Sequence, residues 1–98
     1  MTITKHQNGT NLEIALEGRL DTTTAPELEA ELNQSMPGAE SLTLDFGKLE
    51  YISSAGLRVL LSAHKVMAQK GGMKVIHANE IVMEVFEVTG FADILTIE

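Results

Sequence analysis

The chain contains no cysteine and no tryptophan, has only two prolines, and is just 4% aromatic. Without cysteine there is no disulfide framework, no thiolate metal site and no cysteine nucleophile. With so few rings, the core has to be assembled from Leu, Ile, Val, Ala and Met, and a hydrophobic content of 44% is sufficient for that. No apolar run approaches the ~20 residues that a spanning helix needs, so no insertion into a membrane is expected. The start, "MTITKHQNGT", has neither a basic stretch nor an apolar run. No secretory signal is therefore expected, and a cytoplasmic setting is the simplest expectation. Positive charge is scarce as well, with 7 Lys and Arg against 14 Asp and Glu and a net charge of −7. This balance opposes binding to nucleic-acid phosphates and to anionic lipid, and favours a protein partner. Ninety-eight residues suffice for one two-layer core, so a single domain over 1–98 is expected.

Hydrophobic periodicity orders the chain. "TITKHQ" reads as an edge strand, Asn8-Gly9 as a turn, and "NLEIALEG" as a strand alternating Leu12, Ile14 and Leu16 against Glu13 and Glu17. A helix follows, with Thr24 and Glu27 spaced as a capping box, Pro26 in its first turn, and Leu28 and Leu32 on one face. Pro37-Gly38 stops it. "SLTLDF" is a strand with Leu42, Leu44 and Phe46 on one side. Next, Leu57, Leu60, Leu61, His64, Met67 and Ala68 mark the stripe of a buried helix, closed by Gly71-Gly72. "MKVIHA" is a strand, and Asn79 caps a helix with an apolar face of Ile81, Val82, Val85 and Phe86, ended by Gly90. "ILTIE" gives a last strand. The order β-β-α-β-α-β-α-β predicts an α/β fold, with a mixed four- to five-stranded sheet and helices packed mainly on one face.

Signs of catalysis are few. His6, His64 and His77 fall on different elements, and none has a second ligand at metal spacing, so no metal and no cofactor are expected. His64, on an apolar stripe, reads as a packed core residue. A nucleophile elbow G-x-S-x-G needs Gly two residues before its serine, where Ile52 stands, and no P-loop or G-x-G-x-x-G occurs. The acidic residues fall mainly on outer helix faces. An enzyme or a small-ligand carrier is therefore disfavoured.

The unusual segment is "DFGKLEYISSAGLRVLL", where a strand passes through Ser53, Ser54, Ala55 and Gly56 into an apolar helix beginning near Ala55. Ser53 or Ser54 can cap that helix, worth about 1 kcal/mol. One cap needs one hydroxyl, yet the segment has two, beside small residues that leave the backbone accessible. A helix N-terminus also tolerates added anionic charge. A phosphate there would leave the fold intact, whereas a partner docked over it would have to bury the charge.

"LTLDFGKLEYISSAGLRVLLSAHKVM" resembles the signature of STAS domains, in particular the bacterial anti-sigma factor antagonists, whose pattern is an apolar strand, then D-L-S-x-V-x-F-I-D-S-S-G-L, then an apolar helix. "LEGRLDTTTAPELEAEL" is similar to the family's G-x-L-D and following helix, and "EVFEVTGFADIL" to its late helix, so the likeness spans nearly the whole chain. The resemblance implies an antagonist that, unphosphorylated, binds an anti-sigma factor serine kinase and frees the sigma factor. Phosphorylation of its serine ends the interaction, and a metal-dependent serine phosphatase restores it. By motif position the phosphorylated serine falls on Ser54, and the implied partner surface on Asp21, Ser53, Ser54, Gly56, Leu57 and Arg58. Three residues depart from the pattern: Ser53 replaces the Asp before the phosphoserine, Ala55 replaces Ser or Thr, and Arg58 replaces the Gly after Leu. A competing role on the same fold is a STAS subunit of a non-sigma assembly, such as a lipid-transport ATPase complex or a stress-signalling scaffold. Asp21 is expected at the same end of the molecule as Ser54.

Overall fold

Alternation in the strands sets the layers. Leu12, Ile14 and Leu16 of β2 (Asn11–Leu20), Leu42, Leu44 and Phe46 of β3 (Ser41–Ile52), and Met73 and Val75 of β4 (Met73–Ile76) are all buried on one face. Three helices cover that face: α1 (Ala25–Ser35) with Leu28 and Leu32, α2 (Ser54–Met67) with Leu57, Leu60 and Met67, and α3 (Glu80–Thr89) with Val82 and Phe86. The opposite face carries Glu13, Asp45 and Lys74, none of them fully buried. In the computed structural model, which describes residues 1–98, β1 (Thr2–Asn8) and β5 (Thr96–Ile97) complete a five-stranded sheet in the order β1-β2-β3-β4-β5. The β1/β2 pair is antiparallel and the other three pairs are parallel, each parallel step being bridged by one helix.

Several local expectations change. β3 does not end at Phe46 but continues to Ile52, because two register shifts against β2 absorb extra residues and keep the pairing to Leu20↔Ile52. The capping box at Thr24 does not form. The Thr24 hydroxyl donates to the Arg19 carbonyl at 2.8 Å and accepts from the Asp21 N–H at 2.8 Å, so it is not free to cap. Asp21 takes that role: its carbonyl accepts from Ala25 N–H at 2.8 Å, and its Oδ1 accepts from the Thr23 and Thr24 N–H groups at 3.0 and 3.2 Å. Asn79 caps α3 as expected, with Oδ1 accepting from Val82 N–H at 2.8 Å. Gly90 ends it at φ 83°. On α3, Ile81 is not part of the core but 57% exposed. On α2, Val59 is buried while Leu61 and His64 are only half-buried and Ala68 is exposed, so the core face is turned slightly from the expected stripe. The final strand is only Thr96–Ile97.

Candidate functional site

The register of β2 and β3 brings two loops together. Leu20 and Ile52 are the last residues of adjacent parallel strands, and the Ser53 N–H donates to the Leu20 carbonyl at 2.9 Å. Asp21 follows Leu20, and Ser54 opens α2 two residues after Ile52. Asp21 and the serine turn therefore share one end of the molecule.

Gly56 holds the turn close to the sheet. A Cβ at this position would lie 2.7 Å from Leu20 Cγ and 2.9 Å from Ile52 Cγ1, closer than carbon atoms can approach. The first turn of α2 thus packs directly on the ends of β2 and β3, and Leu57 beside it is 6% exposed. Gly56 and Leu57 are buried beneath the turn, while Ser54 and Arg58 stand on the surface, with Asp21 and Ser53 in between.

The two serines differ. Ser53 occupies the cap position with extended backbone (φ −99°, ψ 176°), and its carbonyl accepts the first helical bond, from Leu57 N–H at 3.0 Å. Its hydroxyl makes no cap bond, and Oγ is buried without a hydrogen-bond partner. The expectation of a serine cap is corrected by this geometry: the Ser53 hydroxyl is buried and caps none of the free N–H groups. Ser54, the first residue of α2, is exposed at the positive end of the helix dipole. Arg58, four residues on, takes part in no ion pair.

Next to the turn, Asp21 is ionised in a web of donors. The Thr23 hydroxyl, at 2.7 Å, and then the Thr24 and Thr23 N–H groups hold its carboxyl below the ordinary carboxylate value, against an opposing pull from burial. One feature escaped the sequence reading. Arg19 and Tyr51 are paired across β2 and β3, with the guanidinium 4.7 Å from the ring centroid. The signal for it, Tyr51 as a strand residue, was hidden by the bulges in β3.

A second polar cluster lies on the face that the helices leave open. Asp45 Oδ1 accepts from Gly47 N–H at 2.9 Å and meets His77 Nδ1 at 3.0 Å, and His77 has φ 62°. They line a cleft of about 480 Å³ with Thr2, Thr4, Glu17 and Lys48. No group of three or more His, Cys, Asp and Glu side chains with metal-binding geometry occurs. No helix is long and apolar enough to cross a membrane.

The sequence profile of a family described as "Mlab, STAS domain" matches residues 3–96. Over 84 residues, the chain is 40% identical to BtrV of Bordetella bronchiseptica, which is provisionally named an anti-sigma factor antagonist. That match covers 84% of this chain and 72% of BtrV. An anti-sigma factor antagonist from Mycobacterium paratuberculosis has a similar structure, with a TM-score of 0.89 at 20% identity, covering 98% of this chain and 83% of that one. The Bacillus cell fate determinant SpoIIAA in its phosphorylated form gives a TM-score of 0.76 at 15% identity, covering 99% and 91%. At such identities these two structures speak for the fold alone.

Proposed function

The chain belongs to the STAS domain family, and from that premise we propose that it is an anti-sigma factor antagonist, a binding module rather than an enzyme. In this reading the unphosphorylated protein binds an anti-sigma factor of the serine-kinase type in the cytoplasm and so frees a sigma factor. Phosphorylation of Ser54 by that kinase ends the interaction, and a metal-dependent serine phosphatase reverses it.

The observation that carries the reading is the placement of Ser54, exposed on the first turn of a helix whose N-terminus lies beside the Asp21 turn. A hydroxyl there is accessible to a kinase. The helix dipole stabilises the added anion by about 0.3–1 kcal/mol, so the fold tolerates it. A partner seated on the turn would have to bury the same charge. Left unpaired, a buried charge costs ~3–5 kcal/mol, a loss of affinity of roughly a hundredfold to several thousandfold. Asp21, Ser53, Ser54 and Arg58 would contact the partner, with Gly56 and Leu57 shaping the surface from below.

The test is to incubate the protein with its cognate kinase and ATP, map the modified residue by mass spectrometry, and compare kinase binding before and after. Phosphate on Ser54 with a large loss of affinity supports the reading. Phosphate only on Ser53, or on neither serine with an active kinase, overturns the Ser54 assignment.

A second reading keeps the fold and changes the role to a STAS subunit of a non-sigma assembly, such as a lipid-transport ATPase complex or a stress-signalling scaffold. One observation favours it: Ser53 stands where the antagonist pattern has Asp. Co-purification with transporter subunits in place of a kinase would establish it.

A further inference from the structure

We propose that α3 carries a second docking surface, an apolar stripe with an acidic flank that receives a basic amphipathic helix of a protein partner. This surface is separate from Ser54 and does not depend on phosphorylation.

The sequence of α3, "EIVMEVFEVT", holds more apolar residues than one core face can use. Val82 and Phe86 are fully buried and occupy the core face. Ile81, Val85 and Val88, spaced i, i+4, i+7, line an adjacent face, on which Val85 is half-buried and packs against the margin of the core. Ile81 is 57% exposed and Val88 80%. With Glu84 and Thr89 these three side chains line a shallow groove of about 320 Å³. Single exposed apolar residues are ordinary, but exposed Ile81 and Val88, joined in helical register by half-buried Val85, form a stripe of the kind that a partner helix covers.

Charge selects the occupant. On the flank of the stripe away from the core stand Glu80, Glu84 and Glu87, and α3 has no basic residue. None of these carboxylates has an ion-pair partner, since the protein's ion pairs lie elsewhere, at Lys5–Glu31, Lys74–Glu98 and His77–Asp45. A second copy would set the same carboxylates against these, in a chain whose net charge is already −7. Anionic lipid is repelled for the same reason. A helix with Leu-type side chains on one face and Lys or Arg on its edge fits both the apolar stripe and the unpaired acids.

The probe is a synthetic peptide of about five helical turns, built from Leu and Lys in an amphipathic pattern, with a Leu/Glu peptide as control. Each is titrated into the isotopically labelled protein, and the perturbed amide and methyl signals are mapped. The Leu/Lys peptide is expected to perturb Ile81, Val85 and Val88, with about tenfold weaker binding to Ile81→Ser/Val88→Ser and to Glu84→Lys/Glu87→Lys. Both pairs of residues are exposed, and circular dichroism checks that each variant is folded. Three results would overturn the proposal: perturbations scattered over the molecule and unchanged in Ile81→Ser/Val88→Ser, equal binding of the Leu/Glu peptide, or sedimentation showing a self-associated protein that this double substitution makes monomeric. Loss of phosphorylation at Ser54 would leave this outcome untouched, so the two readings stand or fall separately.

Discussion

The Ser53 N–H and the Leu20 carbonyl, 2.9 Å apart, join the end of β3 to the end of β2. Through that bond, the loop that begins with Asp21 and the helix that begins with Ser54 are fixed to the same end of two interior strands. The distance between the two loops is set by strand pairing and not by the loops themselves. The close approach of Gly56 to Leu20 and Ile52 adds the third restraint.

Gly56→Ala should therefore disturb the site from beneath. Alanine favours helix by at most about 1 kcal/mol. The added methyl would overlap Leu20 Cγ and Ile52 Cγ1, and overpacking of this kind costs ~1–3 kcal/mol. A net loss of up to about 2 kcal/mol is expected, together with shifted amide signals for Ser53, Ser54 and Asp21. Urea unfolding and a heteronuclear NMR spectrum measure both. An alanine variant as stable as the parent, with unmoved signals, would show that α2 is not held this closely.

The two candidate caps should respond in opposite ways. Ser53→Ala removes a buried hydroxyl that has no partner, so stability should stay level or rise by up to about 1 kcal/mol. A loss of about 1 kcal/mol would instead signal a working cap. Asp21→Ala should destabilise α1, because it removes the acceptor of the Thr23 and Thr24 N–H groups. Thermal unfolding of the two variants side by side decides between these outcomes.

The sequence was most legible where one force dominates. Burial alone dictates the alternation of Leu12, Ile14 and Leu16, and the five-stranded, one-sided sheet follows from it. Asn79 was readable because nothing competes for its Oδ1. Thr24 was misread because strand pairing brings the Arg19 carbonyl within reach of its hydroxyl, a contact invisible in local spacing. The second half of β3 lies beyond the strand read in "SLTLDF", because the register shifts against β2 break its simple alternation; Asp45 accepts from Gly47 N–H within the first of them. Ser54 was placed at a helix start by the change from strand to small residues to an apolar stripe, and α2 begins one residue earlier than expected, at Ser54 itself. Ile81 was assigned to the core since periodicity cannot separate two adjacent apolar faces on one helix.

Arg58 should answer a phosphate on Ser54. Helical side chains lean toward the N-terminus, so a residue at i+4 reaches back over residue i. Arg58 is exposed and takes part in no ion pair. Pairing at this spacing is worth about 0.2–0.5 kcal/mol. With phosphoserine installed at Ser54 by synthesis, Arg58→Ala should raise the phosphate's second pKa, ordinarily near 6, by about 0.3 unit. Phosphorus NMR titration reads it directly. An unchanged pKa would mean that Arg58 faces the partner alone.

Asp45 gives the molecule a pH dependence whose sign is fixed by geometry. Partial burial pulls its carboxyl toward the neutral form. The Gly47 N–H and the His77 ring, by hydrogen bond and by charge, outweigh that pull and hold it below the ordinary value of 3.8. A lowered folded-state pKa means that the unfolded chain takes up its proton first as pH falls. The contribution is therefore complete above pH 3.8 and disappears as pH falls through the lower folded value. Asp45→Asn should cost about 1 kcal/mol at pH 7, a figure kept small because the side chain retains 27% exposure. The gap between variant and parent should close in acid. His77→Ala should reduce the pH dependence without removing it, since the Gly47 N–H remains as a donor to the carboxylate. Urea unfolding of the three proteins at neutral and acidic pH is the measurement. A gap that stays constant with pH would assign Asp45 a packing role and take the charge out of the argument. If the gap does close, the bulge that Asp45 pins would loosen at low pH, and with it the register that carries β3 from Gly47 to Ile52 and sets Ser53 against Leu20.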